Sequence, residues 1–162
     1  MAITKVTGAL LGNYTGGSAD DTVVIGDGAG DAITTGADNT FIGDNAGSAT
    51  TTASNNVAVG SSALLVNTTG ASNVAVGYEA GKDVTTGASN VLVGREVGAE
   101  ATTGSFNTAI GQQAYAAGSA SAATGSNNVA VGYGALYKAT NVHTHVSQET
   151  FLKLEEILWS CQ

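Results

Sequence analysis

The sequence predicts an all-β protein whose main part is a parallel β-solenoid, or β-roll, of seven rungs, each about 17 residues long. Three observations predict this fold. A glycine recurs at a fixed interval, a pair of β-branched residues two positions apart precedes it, and an asparagine stands just before that pair. Strict self-similarity of this kind is typical of stacked repeats that each contact only their neighbours.

The anchoring glycines define the period. The first five intervals between them are all seventeen residues, and the last is four residues longer because the stretch 117–123 lengthens one turn. Insertions in stacked repeats map to loops, so the irregular interval agrees with a solenoid over residues 21–139. At the usual strand spacing, seven rungs make a rod roughly 30 Å long. The glycines are Gly26, Gly43, Gly60, Gly77, Gly94, Gly111 and Gly132.

The residues before each glycine predict a strand that is apolar on both faces. Val57 and Val59 share one face, and Ala58 between them points to the other. A thin coil has one interior to fill, so the second face needs another surface to cover it. We assign the middle residues to an interface between copies of the chain. They are Val24, Phe41, Ala58, Ala75, Leu92, Ala109 and Ala130.

The rest of each rung predicts a second short strand between two turns. A small apolar residue begins it, and a Thr-Thr step follows in which we expect one column to be internal. A residue such as Gly70 then supplies a turn at positive φ. An asparagine opens the next rung, and its amide is expected to hydrogen-bond from rung to rung. These asparagines are Asn39, Asn56, Asn73, Asn90, Asn107 and Asn128.

The two ends depart from the period. Residues 1–20 are predicted to form an N-terminal cap or attachment arm. Residues 140–146 are predicted to be a short strand or linker, and residues 147–162 a short α-helix capped by Ser147. Phe151, Leu154 and Leu158 form a heptad-like seam on that helix, which we also assign to the interface between copies.

The composition excludes several classes of function. The net charge is −8 and no cluster of Lys or Arg is present, so a nucleic-acid partner is not expected. No apolar run reaches the roughly 20 residues of a membrane span, so membrane insertion is not expected either. The N-terminus lacks the layout of a signal peptide, which predicts a chain that is not secreted by that route.

The sharpest local motif is the pair His143 and His145, which would share one face of a strand. Around a three-fold axis the pair would bring six imidazoles together, a set that suits iron or zinc. The alternative is two exposed histidines in a linker.

Three other local patterns are weaker. Asp27 and Asp31 resemble one calcium-binding nonapeptide, but after Asp44 no later rung keeps the acid, so calcium is not expected. The threonines are adjacent rather than spaced as on ice-binding faces. No set of residues has the spacing of a catalytic site, and we predict that the chain is not an enzyme.

The repeat resembles two known families. Asn107-Thr108-Ala109-Ile110-Gly111 and Asn67-Thr68-Thr69-Gly70 are similar to repeats of phage tail-fibre and related virion fibre proteins, and to the heads of trimeric autotransporter adhesins. The likeness covers residues 39–136, which is more than half of the chain. The adhesin signal peptide and membrane barrel have no counterpart here, so the virion fibre is the closer likeness.

The resemblance implies a homotrimer with its second apolar face on the three-fold axis. It further implies a fibre, spike or capsid decoration of a bacterial virus, assembled in the host cytoplasm and located in the virion. Such a protein would contact other virion proteins through one terminus and a host receptor or glycan elsewhere. The alternative is a solenoid binding module, such as a surface adhesin or a glycan-, ice- or calcium-binding protein.

Overall fold

The chain folds as a single parallel sheet wound into a coil. The structure, a computed structural model, describes residues 22–116 and 123–138 and the backbone of 146–148. These residues form eight strands that pair in chain order, and none of them is helical. The predicted all-β parallel solenoid is therefore confirmed for the described residues. The strands are β1 (Val23–Ile25), β2 (Thr40–Ile42), β3 (Val57–Val59), β4 (Val74–Val76), β5 (Val91–Val93), β6 (Thr108–Ile110), β7 (Val129–Val131) and β8 (Val146–Gln148).

The register repeats from rung to rung. Ala75 pairs with Ala58 on one side and with Leu92 on the other, so equivalent positions stack in columns. The longer interval before β7 does not disturb this order, because Ala109 still pairs with Ala130. On the far side of the coil the insertion is closed by a bridge between Ala101 and Ala123. The longer interval is thus accommodated without a change in the register of the strands.

The predicted second strand of each rung is absent from the described rungs. The far side is a series of turns joined by single hydrogen bonds, such as that from the amide of Thr68 to the carbonyl of Thr85 at 2.9 Å. Alternate residues after the anchoring glycine have positive φ, for example Glu79 at 54° and Gly81 at 59°. A chain that alternates in this way curls and cannot extend into a strand.

The middle residue of each strand points into the coil. These side chains are at most 8 % exposed in the single chain, and the two residues beside each one lie on the outer face. The assignment of the middle column to an interface between copies is therefore wrong. One rung is narrow and its strand is only three residues long, so the interior accepts a single side chain per strand. The corrected residues are Val24, Phe41, Ala58, Ala75, Leu92, Ala109 and Ala130.

In every described rung except that of β4, where Ala75 and Gly81 are both small, the core combines a larger residue on one side of the coil with a smaller one on the other. Six positions after each middle residue stands a second inward position. Phe41 faces Gly47, whereas Ala58 is followed by Leu64 and Ala109 by Tyr115. A Cβ on Gly47 would lie 2.7 Å from the Phe41 ring. The ring of Phe41 therefore fits only because residue 47 has no side chain. Large residues thus enter from either side of the coil, but not from both within one rung.

The C-terminal end differs from the predicted boundary. Val146, Ser147 and Gln148 form β8, which pairs with β7 through Ala130 and Ser147. Ser147 and Gln148 therefore continue the sheet past the predicted start of the helix at 147. The N-terminal arm at 1–20, the remainder of the predicted helix and its interface residues Phe151, Leu154 and Leu158 lie outside the described residues.

Candidate functional site

The asparagine column joins the rungs on the inside of the coil. The Asn73 side-chain oxygen accepts hydrogen bonds from the backbone amide and the side-chain amide of Asn90, both at 3.0 Å. The side-chain amide of Asn73 donates to the carbonyl of Gly87 at 2.9 Å. All six asparagines of this column are at most 2 % exposed. Each amide therefore satisfies backbone groups of its neighbouring rung that would otherwise be buried without partners.

The anchoring glycines are required by both conformation and contact. Gly94 has a φ of 141°, a conformation rarely adopted by residues with a side chain. A Cβ on Gly94 would lie 2.6 Å from the carbonyl oxygen of Gly111 one rung away. The column therefore stacks backbone against backbone, which is why the glycine recurs in every rung.

The turn glycines are required for a different reason from the one predicted. Gly70 and Gly87 are not among the residues with positive φ. Their column instead lies so close to the next rung that a Cβ on Gly70 would overlap the carbonyl oxygen of Gly87. Glycine is needed at this position because the two rungs approach each other closely, and not because the backbone is left-handed.

Neither threonine column is internal. The second threonine of every pair, such as Thr86, is exposed, and the first is at best partly covered. The hydroxyl of the first donates to the carbonyl of its equivalent one rung on, as Thr51 does to Thr68 at 3.1 Å. The residue before the pair fills the core instead, as Val84 does.

The largest uncovered feature of the described coil is the outer face of the sheet. We use "outer face" for the first and third residues of β1 to β7. Of these fourteen positions, twelve hold Val or Ile, two hold Thr and none is charged. Val23, Ile110 and Val131 are 47 %, 43 % and 38 % exposed. Contiguous apolar surface of this length is unusual on a monomer and marks a surface for association.

Two columns of mostly exposed residues border the outer face. The post-glycine edge is the residue after each anchoring glycine, and the pre-asparagine edge is the residue before each ladder asparagine. Both edges are acidic near β1 and β2, and aromatic residues enter nearer β7. The post-glycine edge is Asp27, Asp44, Ser61, Tyr78, Arg95, Gln112 and Tyr133, and the pre-asparagine edge is Asp38, Asn55, Ser72, Ser89, Phe106 and Asn127.

A shallow groove runs along the corner behind the post-glycine edge. It encloses about 230 Å³, with Ala99 and Ala116 on its floor and Lys82 and Tyr137 among its walls. Lys82 lies 2.8 Å from the Glu79 carboxylate. This hydrogen bond lowers the pKa of Glu79 and raises the pKa of Lys82. The groove therefore already holds a paired acid and base of its own.

The candidate metal-binding residues lie partly within and partly outside the described part of the chain. No group of three or more His, Cys, Asp or Glu side chains comes together in the part of the chain that the structure describes. Asp27, Asp31 and Asp44 are within that part, whereas His143 and His145 lie outside it. The iron or zinc site at the histidine pair therefore stays a prediction.

Comparison with known proteins adds no relative. No family model, no curated protein and no solved structure matches the chain. Among the described residues there is also no helix long and apolar enough to cross a membrane. Sequence reasoning located the columns but did not place Tyr78, Phe106 and Tyr133 at the borders of the outer face, because the residue types at these positions vary between rungs.

Proposed function

We propose that this chain is a non-enzymatic structural protein of a bacterial virus, a fibre or spike that assembles as a homotrimer through its outer face. The observation that carries the proposal is the outer face itself. It is apolar along all seven rungs, yet it is exposed in the single chain. A surface with this composition is stabilised when another apolar surface removes it from water.

The dimensions of the face suit a second copy of the chain. Seven strands at the usual spacing give a length of roughly 30 Å, and the two edges lie roughly 20 Å apart. The product is about 600 Å² per copy, which a trimer would share between two neighbours. The face itself carries no charged residue, so contact between two such faces buries no charge there.

The continuous ladders support a mechanical role. Asparagine amides, threonine hydroxyls and strand backbones each bond one rung to the next along the coil. Eight of the nine buried polar side chains that the structure describes have hydrogen-bond partners within the coil, Thr50 being the exception. Because these polar groups are used to stack the rungs, they support a structural role as a rod rather than a catalytic role.

The assignment to a virion rests on the resemblance of the repeats. The proposed partners rest on the same resemblance. They are other virion proteins at one terminus and a host receptor or glycan. Such a protein would assemble in the host cytoplasm and be located in the virion, on the tail or the capsid.

Oligomeric mass tests the proposal. Light scattering of the purified chain should give three times the 15.9 kDa mass of one chain. Val76→Lys, at the centre of the outer face, should dissociate the assembly while the circular dichroism of the coil persists. Thr86→Lys, on the exposed far side of the same rung, is the matched control and should leave the mass unchanged. A wild-type chain that is monomeric at every concentration would contradict the proposal.

A solenoid binding module is the second candidate, and the groove beside Tyr137 is the observation that favours it. Its exposed ring and polar walls are features of ligand pockets. A glycan array probed with the purified chain separates the two functions. A binding module would retain glycan binding as a Val76→Lys monomer, whereas a purely structural fibre would bind no glycan in either form.

A further inference from the structure

Phe106 is an anomaly in its own column. The other residues of the pre-asparagine edge are Asp, Asn or Ser, and every one has a φ between 58° and 62°. Small polar residues tolerate this left-handed conformation, whereas a bulky aromatic residue rarely adopts it. Phe106 nevertheless has a φ of 60° and is 63 % exposed, more than any other large hydrophobic residue in the described part. Strain and exposure at one residue point to a role outside the single rung.

The opposite edge of the outer face carries a complementary set at the same height. Arg95, Gln112 and Tyr133 follow one another in the rungs of β5, β6 and β7. All three are exposed, Tyr133 by 61 %. Tyrosine and arginine are enriched at the energetic centres of protein interfaces.

Parallel packing of identical faces brings these two edges together. Around an axis that runs along the rods, the pre-asparagine edge of one copy meets the post-glycine edge of the next. With the rungs level, Phe106 then faces Gln112 of the next copy. Arg95 and Tyr133 lie one rung to either side, about 4.8 Å away along the rod.

We infer that Phe106 anchors the assembly by docking between Arg95 and Tyr133 of the neighbouring copy. The inference rests on the proposed self-association through the outer face. The phenyl ring can stack on the Arg95 guanidinium and pack against the Tyr133 ring. At the other end of the rod, the same packing brings Asp38 close to Asp44, and like charges oppose each other there. The rungs of β5 to β7 therefore supply most of the attraction between copies.

Phe106→Asn tests the anchor with little risk to the fold, because asparagine already occupies this column at Asn55 and Asn127. Self-association, measured by sedimentation over a dilution series, should weaken at least tenfold. The unfolding midpoint of the dissociated chain should stay the same or rise. Ser89→Asn, in the same column one rung away, is the control and should leave self-association unchanged. A Phe106→Asn variant that assembles as tightly as the wild type would overturn the inference.

Disulfide trapping tests the geometry directly. Phe106→Cys and Gln112→Cys are combined in a Cys161→Ser background, which removes the native thiol. The two positions lie on opposite edges, roughly 20 Å apart. A disulfide needs Cα atoms within about 7 Å, so it can form only between copies. Oxidation should yield covalent trimers, and either single-cysteine variant should not. Oxidation that yields no cross-link in an assembled protein would overturn the inference.

The two failures can be told apart. A wild-type chain that never associates contradicts the proposed function and the anchor together. A wild-type trimer that tolerates Phe106→Asn and does not cross-link contradicts the anchor alone.

Discussion

At the scale of single residues, the coil works by giving nearly every buried polar atom a partner. The ladder asparagines do so in every rung between β2 and β7. Among the described residues one atom departs from this rule, because the Oγ1 of Thr50 is buried and has no hydrogen-bond partner. A buried hydroxyl without a partner has lost its hydration and gained nothing in return.

Thr50→Val should therefore stabilise the protein. Valine keeps the shape of the side chain and removes the unpartnered hydroxyl, which should raise the free energy of unfolding by about 1 kcal/mol. Urea denaturation measures it. Thr51→Val is the matched control, since the Thr51 hydroxyl donates to Thr68 at 3.1 Å, and this change should lower stability. Equal effects of the two substitutions would contradict the explanation.

Tyr115 predicts a fall in stability at alkaline pH. Its ring is 1 % exposed, and its hydroxyl donates to the carbonyl of Gly125 at 2.5 Å. Burial raises the pKa of Tyr115 above its ordinary value of 10.0, and a hydrogen bond with Asn128 opposes this in part. Above that ordinary value the unfolded chain loses this proton while the folded chain keeps it. The free energy of unfolding should then fall by up to about 1.4 kcal/mol per pH unit.

Tyr115→Phe should abolish that part of the alkaline fall. The variant should also be about 1 kcal/mol less stable near pH 8, because the hydrogen bond to Gly125 is lost. Denaturation curves between pH 8 and pH 11 give both quantities. An unchanged slope in Tyr115→Phe would contradict burial as its cause.

At the scale of the rung, stability depends on pairs of positions and not on single ones. The rung of β2 combines Phe41 with Gly47, and the rung of β3 combines Ala58 with Leu64. The backbone is the same in both, since Gly47 and Leu64 have φ values of 59° and 49°. The two rungs therefore fill the same interior space from opposite sides of the coil.

Replacing the large and small residues of the β2 rung by those of the β3 rung should be tolerated. Phe41→Ala alone should cost about 3–5 kcal/mol through the cavity that it leaves. Gly47→Leu alone should cost about 1–3 kcal/mol, because its side chain would overlap the Phe41 ring. The double variant reproduces the rung of β3 and should recover at least about 2 kcal/mol of the summed loss. Additive losses in urea denaturation would show that the two positions do not share one space.

At the scale of the whole molecule, the coil is a one-dimensional stack with an interior that one chain completes. Each rung bonds only to its neighbours, and every middle residue from β1 to β7 is buried without help from another copy. The proposed association between copies therefore falls to the outer face, where it would add stability without being needed to build the core. This arrangement predicts a folded monomer when the outer face is charged, as in Val76→Lys.

The histidine pair makes a separate prediction for the assembled molecule. A trimer would bring His143 and His145 of three copies to one axis, and iron or zinc should then copurify. Elemental analysis of the purified trimer should find about one metal ion per three chains, and His145→Ala should abolish it. Metal well below one per trimer would contradict the prediction.

The sequence by itself determined the periodic features of this protein. The constant interval between glycines and the β-branched pairs predicted the strands, their parallel order and the columns of glycine and asparagine. These follow from local rules, because a strict repeat in sequence forces a repeat in hydrogen bonding. The register across the longer interval before β7 followed for the same reason.

Only the tertiary structure decided which face of the strand is inside. Alternation shows that Ala58 points to one face of the strand and its neighbours Val57 and Val59 to the other. Because both sets are apolar, the pattern does not tell which face is buried in the coil. The direction in which the chain curls after each anchoring glycine resolves it. That curl depends on positive φ at residues such as Glu79, and a glutamate in the sequence does not predict positive φ. The same geometry left the valines outside, where they form the face through which we propose that the copies meet.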